Sequence, residues 1–79
     1  MTQPVLTLIV PVFNEQEALP PAYDVLDRIM RELGETYEVI IIDNGSLDNT
    51  EQIAHRIVAQ NPAWRYIRLS RNFTYQNSI

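Results

Sequence analysis

Two stretches of this chain are almost free of polar interruption. From Val5 to Val12 and from Tyr37 to Ile42 the positions are filled mainly by Val, Leu and Ile with little alternation, the pattern of strands buried on both faces of a parallel sheet. Between them Ala18, Leu19, Ala22, Val25, Leu26, Ile29, Met30 and Leu33 recur at steps of three and four residues and so form one helical stripe. Pro20 and Pro21 fit only a first helical turn, so the spacing predicts a helix starting near them, after a loose turn through Glu15 to Ala18, and stopping at Gly34. Beyond the second strand, Ser46 or Asp48 is placed to cap a second helix, with Glu51 three residues after Asp48 in the spacing of a capping box. Ile53, Ala54, Ile57 and Val58 supply its buried face, and Asn61-Pro62 ends it. Trp64 to Leu69 reads as a third strand, with Ile67 and Leu69 on one side and Tyr66 and Arg68 on the other.

The order β-α-β-α-β, with connections long enough for right-handed crossovers, predicts an α/β fold with parallel strands in the order 3-2-1 and both helices over one face. The other face is then bare. Strands that look buried on both sides, beside a face with nothing to cover it, point to residues 1–79 being the incomplete amino-terminal portion of a larger doubly wound domain. The isolated chain is accordingly expected to self-associate through the uncovered sheet face.

Composition narrows the function classes. The 79 residues carry a formal charge of -4, and the basic residues are six dispersed Arg with no Lys, so there is neither a nucleic-acid stripe nor a polybasic membrane patch. The absence of Cys removes disulfides, thiolate metal sites and cysteine nucleophiles, and is compatible with a reducing, cytoplasmic setting. The amino terminus lacks a basic leader, and the run from Val5 to Phe13 is broken by Thr7 and Pro11, unlike a signal peptide or a membrane span.

Candidate chemistry lies where the strands end. The first discharges into Pro11-Val12-Phe13-Asn14-Glu15 and the second into Asp43-Asn44-Gly45-Ser46; in a parallel sheet both elbows emerge at the carboxyl edge, where open α/β sheets hold ligands. A carboxylate at Asp43 suits the imide or amide N–H edge of a nucleobase, Gly45 permits a positive φ or a close backbone approach, and Ser46 can cap a helix or bond a ligand. An equally simple reading makes this a strand-to-helix turn capped by Asp43. Pro11 stiffens the first exit, Phe13 and Asn14 can present an aromatic face and backbone groups to a base or ribose, and Glu15 can accept from a ribose hydroxyl. Taken singly, each of these residues is better read as part of a plain helix start, with Asn14 as cap, Glu15 as an acid favoured by the helix dipole and Phe13 as core. Arg71, after the third strand, can neutralise a diphosphate or a lipid phosphate, whereas Arg68 reads as a solvated residue, His55 as a helix-surface residue, and Trp64 and Tyr66 as packing. No G-x-G-x-x-G or P-loop follows the first strand.

Taken in order, Pro11-Val12-Phe13-Asn14-Glu15, then Ile42-Asp43-Asn44-Gly45-Ser46-Leu47-Asp48-Asn49-Thr50, then Leu69-Ser70-Arg71-Asn72-Phe73, the chain resembles the successive amino-terminal motifs of family 2 glycosyltransferases with the GT-A fold. The Ser-Arg-Asn-Phe ending is similar to that of the polyprenyl-phosphate sugar transferases. The resemblance implies the nucleotide-binding half of a three-layer, Rossmann-like domain, with Pro11, Phe13 and Glu15 around the nucleoside and Asp43 on the base. It further implies a UDP- or GDP-sugar donor, a polyprenyl phosphate acceptor, and a place in the cytoplasm or on the cytoplasmic face of a membrane. In that family a later D-x-D motif binds Mg²⁺ or Mn²⁺, which stabilises the leaving nucleotide. No D-x-D occurs here, so the resemblance leaves this chain without a metal site or a catalytic residue, and inactive alone. In place of the usual Gly the chain has Thr74, and in place of a frequent second acid it has Asn44. The alternatives are a family 2 enzyme with a soluble or polysaccharide acceptor, and a non-catalytic α/β regulatory module; the latter class gathers acids after its first strand, where this chain has Glu15 and Glu17 but no Asp.

Overall fold

A computed structural model describes residues 4–69. Its elements are β1 (Leu6–Val12), α1 (Leu19–Glu32), β2 (Tyr37–Asp43), α2 (Thr50–Gln60) and β3 (Trp64–Arg68). The strands form one sheet in the order β1-β2-β3, parallel throughout, as the crossover argument requires. Val39, Ile41, Val12 and Trp64 point to one side and form a single core with Leu19, Met30, Ala54 and Ile57 of the helices, so both helices cover the same face.

Among the described residues nothing covers the opposite face, and this changes how the strands are buried. Along β1 burial alternates, with Thr7, Ile9 and Pro11 exposed, rather than closing on both sides as the apolar run suggested. Ile9 is 51% exposed and Ile67 of β3 46% exposed. A two-layer arrangement leaves one side of any apolar strand in water, which is why continuous hydrophobicity and half-burial coexist here.

Most helix boundaries follow local chemistry. Ala18 N–H and Leu19 N–H both donate to the Glu15 carbonyl, forming the loose turn before the prolines, and Gly34 closes α1 at φ 74°. The buried side of α1, however, is not the whole apolar stripe: Val25, Ile29 and Leu33 are about half exposed, while Asp27 is buried. Asp27 earns its place through partners. Its Oδ1 accepts from Tyr37 Oη (2.7 Å), Trp64 Nε1 (3.0 Å) and Asn61 Nδ2 (3.1 Å), and its Oδ2 lies 2.9 Å from Arg31 Nε. This carboxylate joins α1, β2, β3 and the end of α2 at the amino edge of the sheet. Burial alone raises its pKa, but donation from Trp64 and Tyr37 and the Arg31 charge outweigh that and hold it below the ordinary value.

Candidate functional site

The three strands end level. The register places Val12 beside Asp43 and Asp43 beside Arg68, so the chain leaves β1 and β2 at adjacent points on one rim. Backbone N–H groups in such exits have no ladder or helix partner and must find other acceptors. Here each loop supplies them for the other. Asn14 N–H donates to Ser46 Oγ (2.8 Å), and Leu47 N–H donates to Asn14 Oδ1 (2.8 Å). Glu15 N–H donates to Thr50 Oγ1 (2.8 Å), Gln16 N–H to Asp48 Oδ2 (3.3 Å), and Asn49 N–H to Gln16 Oε1 (3.0 Å). Asn44 N–H reaches the Val12 carbonyl at 3.0 Å. Each bond contributes about 1 kcal/mol net, and the bonds act together, so the two loops behave as one body. Asn14 adopts φ 52°, a left-handed conformation that Asn tolerates because its short amide finds a nearby backbone group.

Asp43 sits under this rim. It is fully buried, and its oxygens face opposite ways: Oδ1 accepts from Ser46 N–H (2.8 Å) and Oδ2 from the Tyr66 hydroxyl (2.6 Å). Burial pushes its pKa up, yet donation from Tyr66 and Ser46 together with the Arg68 charge hold it below the ordinary carboxylate value. Burial beside this carboxylate pushes the Tyr66 hydroxyl up to about 12. The Asp43–Ser46 turn passes through Gly45 at φ 89°, a conformation a side chain would strain. The capped-turn reading of Asp43 therefore describes its contacts, and it is the burial of the carboxylate that separates it from solvent at the rim.

The other expected residues fall as follows. Pro11, Phe13, Asn14 and Glu15 are exposed on the rim, Phe13 by 52%, so Phe13 is not core. Gly45 and Ser46 are buried, and Ser46 is taken up by Asn14 rather than by a helix end. Arg71 lies outside the described residues. Asn44, between the buried Asp43 and Gly45, is exposed.

Several contributors went unrecognised in the sequence. Arg68 is exposed, as a solvated residue would be, but it is also engaged: Nη2 donates to the Ser46 carbonyl (2.9 Å), and Nη1 lies 3.4 Å from Glu51 Oε1 and 3.6 Å from Asp43 Oδ2. Tyr66 packs edge-on against His55 and also bonds Asp43. The capping box does not form. Asp48 Oδ1 accepts from Thr50 N–H and from the Thr50 hydroxyl, while Glu51 turns to His55 and Arg68. The available signal was the alternation of β3, which puts Tyr66 and Arg68 on the face of Asp43, and the recurrence of short polar residues from Ser46 to Thr50.

A depression of about 340 Å³ opens beside the first elbow, lined by Asn14, Glu15, Gln16, Glu17, Ala18 and Asp48. A larger one, about 450 Å³, lies at the amino edge by Tyr37 and Pro62, away from both elbows. Among the described residues no group of three or more His, Asp or Glu side chains is placed to hold a metal, and no helix is long and apolar enough to cross a membrane.

The model of Glycosyl transferase family 2 matches residues 7–79, which include all of β1 but its first residue, both elbows and β3. The chain belongs to that family. For a family 2 glycosyltransferase, the α/β sheet with three parallel strands is consistent with the Rossmann-like half of a GT-A domain, and membership of the family implies a nucleotide-sugar donor.

Proposed function

We propose that the rim formed by residues 11–15 and 43–46 holds the nucleoside of a UDP- or GDP-sugar, in an enzyme that moves a hexose to a polyprenyl phosphate. The observation that carries this reading is the crossing of hydrogen bonds between the two elbows: it consumes Ser46, Asp48 and Thr50, while the buried Asp43 is taken up by its own turn and by Tyr66, and Pro11, Phe13, Glu15 and Asn44 are left facing solvent around one fixed edge. Phe13 gives an aromatic face to a base, and Glu15 accepts from a ribose hydroxyl. The Asn44 carboxamide offers a donor and an acceptor together, which complements the imide edge of uracil and the amide edge of guanine alike. Asp43, buried beneath the rim, acts here by fixing the turn, and contacts the base only if the rim opens over it. The polyprenyl acceptor is supported by the Ser70-Arg71-Asn72-Phe73 motif, with Arg71 meeting a phosphate, and it implies work at the cytoplasmic face of a membrane. A bound Mg²⁺ or Mn²⁺ would supply positive charge to the leaving diphosphate.

Calorimetric titration of the chain with UDP and with GDP tests the reading. Saturable binding of one nucleotide is expected, weakened about tenfold or more in Asn44→Ala and in Phe13→Ala, with thermal stability changed little because both side chains are exposed. Indifference of the folded chain to both nucleotides contradicts it.

A further inference from the structure

We infer that β3 sets the shape of the nucleotide turn: Tyr66 and Arg68 are positioning residues that grip the Asp43–Ser46 turn at both ends. The functional consequence rests on the donor-binding reading above; the grip itself rests on geometry. At the first end, the Tyr66 hydroxyl holds Asp43 Oδ2 and so keeps Oδ1 turned toward the Ser46 N–H. At the second, Arg68 Nη2 holds the Ser46 carbonyl. Both side chains are braced from α2. The Tyr66 ring meets the His55 ring edge-on at 5.0 Å between centroids, and Glu51 reaches Arg68 at 3.4 Å and His55 at 3.4 Å.

The turn needs such a grip because its middle is Gly45 at φ 89°, a residue with access to many other conformations. Released from Tyr66 and Arg68, the turn samples those conformations, and a ligand must then reorder it on binding. Affinity falls through lost preorganisation rather than through a lost contact. Arg suits the task better than Lys, because its planar fork addresses the Ser46 carbonyl with one nitrogen and the carboxylates with another.

The test uses the whole chain as wild type, Tyr66→Phe, Arg68→Met and Arg68→Lys, with two measurements. Amide hydrogen exchange at Ser46 is read against Val39 and Ile41 in the core of β2, which report global opening, so any general loss of stability is divided out. Titration with UDP and GDP gives the affinity. Tyr66→Phe and Arg68→Met are expected to speed Ser46 exchange about tenfold beyond the change at Val39 and Ile41, and to weaken the bound nucleotide about five- to tenfold, with Arg68→Lys between them and wild type. Ser46 exchange that merely follows Val39 and Ile41 in both variants overturns the grip. Faster Ser46 exchange with an unchanged Kd overturns its functional role. A wild type that binds neither nucleotide sinks the donor-binding reading, and the exchange data then decide the grip alone.

Discussion

The two ends of the sheet are both rich in polar groups and use them in opposite ways. At the amino edge, Asp27 gathers donors from the side chains of Tyr37, Trp64, Asn61 and Arg31, so side chains satisfy one another and tie four elements together. At the carboxyl rim, Ser46, Asp48, Thr50, Asn14 and Gln16 accept from backbone N–H groups, so side chains define the path of two loops. The first arrangement fixes element against element. The second fixes a contour, and the exposed residues on that contour are left over to meet a ligand. A buried polar cluster alone is thus no sign of a site; what matters is whether it organises an edge.

If the ends are independent in this way, damage to one leaves the other's property intact. The largest effect is expected from Asp27→Ala, which strands the Trp64, Tyr37 and Asn61 donors and should cost about 3 kcal/mol or more in urea denaturation. The same variant, where still folded, should keep the wild-type nucleotide Kd; a matching loss of affinity breaks the comparison. Thr50→Val is next. It removes the acceptor for Glu15 N–H and a partner of Asp48, and is expected to cost about 1–3 kcal/mol while also lowering nucleotide affinity.

The smallest effects are those of pH. Asp27 and Asp43 have folded-state pKa values below their ordinary 3.8, so their stabilisation is complete above that value and is lost as pH falls through the folded-state values. Tyr66 is raised from 10.0 to about 12, so its contribution is complete below pH 10 and is lost between there and about 12. Urea midpoints across pH should therefore fall at both extremes. Asp27→Asn should flatten the acid limb and Tyr66→Phe the alkaline one; limbs unchanged by either variant contradict these assignments.

The fold was readable because it is written locally. Runs of Val, Leu and Ile ending in turn residues mark strands, Pro20 and Pro21 date the start of α1, and Gly34 its end. The parallel order followed from the crossover rule, and the place of the two elbows on one rim from the parallel order. The face of α1 was not readable to the same degree. Periodicity ranked Val25, Ile29 and Leu33 with the core and passed over Asp27, whose burial is licensed by Trp64 and Asn61 more than thirty positions away. The same holds at the rim. Asp43 was legible as a residue of interest, but its burial depends on Tyr66 and the fate of Arg68 on Ser46 and Glu51, pairings that exist only once the register of β3 is known. Arg71 falls beyond the described residues, and its part in meeting a phosphate stays a proposal from sequence.

The central claim is that the carboxyl rim, and not the amino edge, receives the nucleotide. Backbone amide NMR during titration with UDP and with GDP tests it most directly. The account predicts shifts concentrated at residues 12–16 and 43–47, with Tyr37, Asn61 and Ala63 at the opposite end unmoved. Shifts centred on the depression beside Tyr37 and Pro62, with both elbows silent, would contradict it.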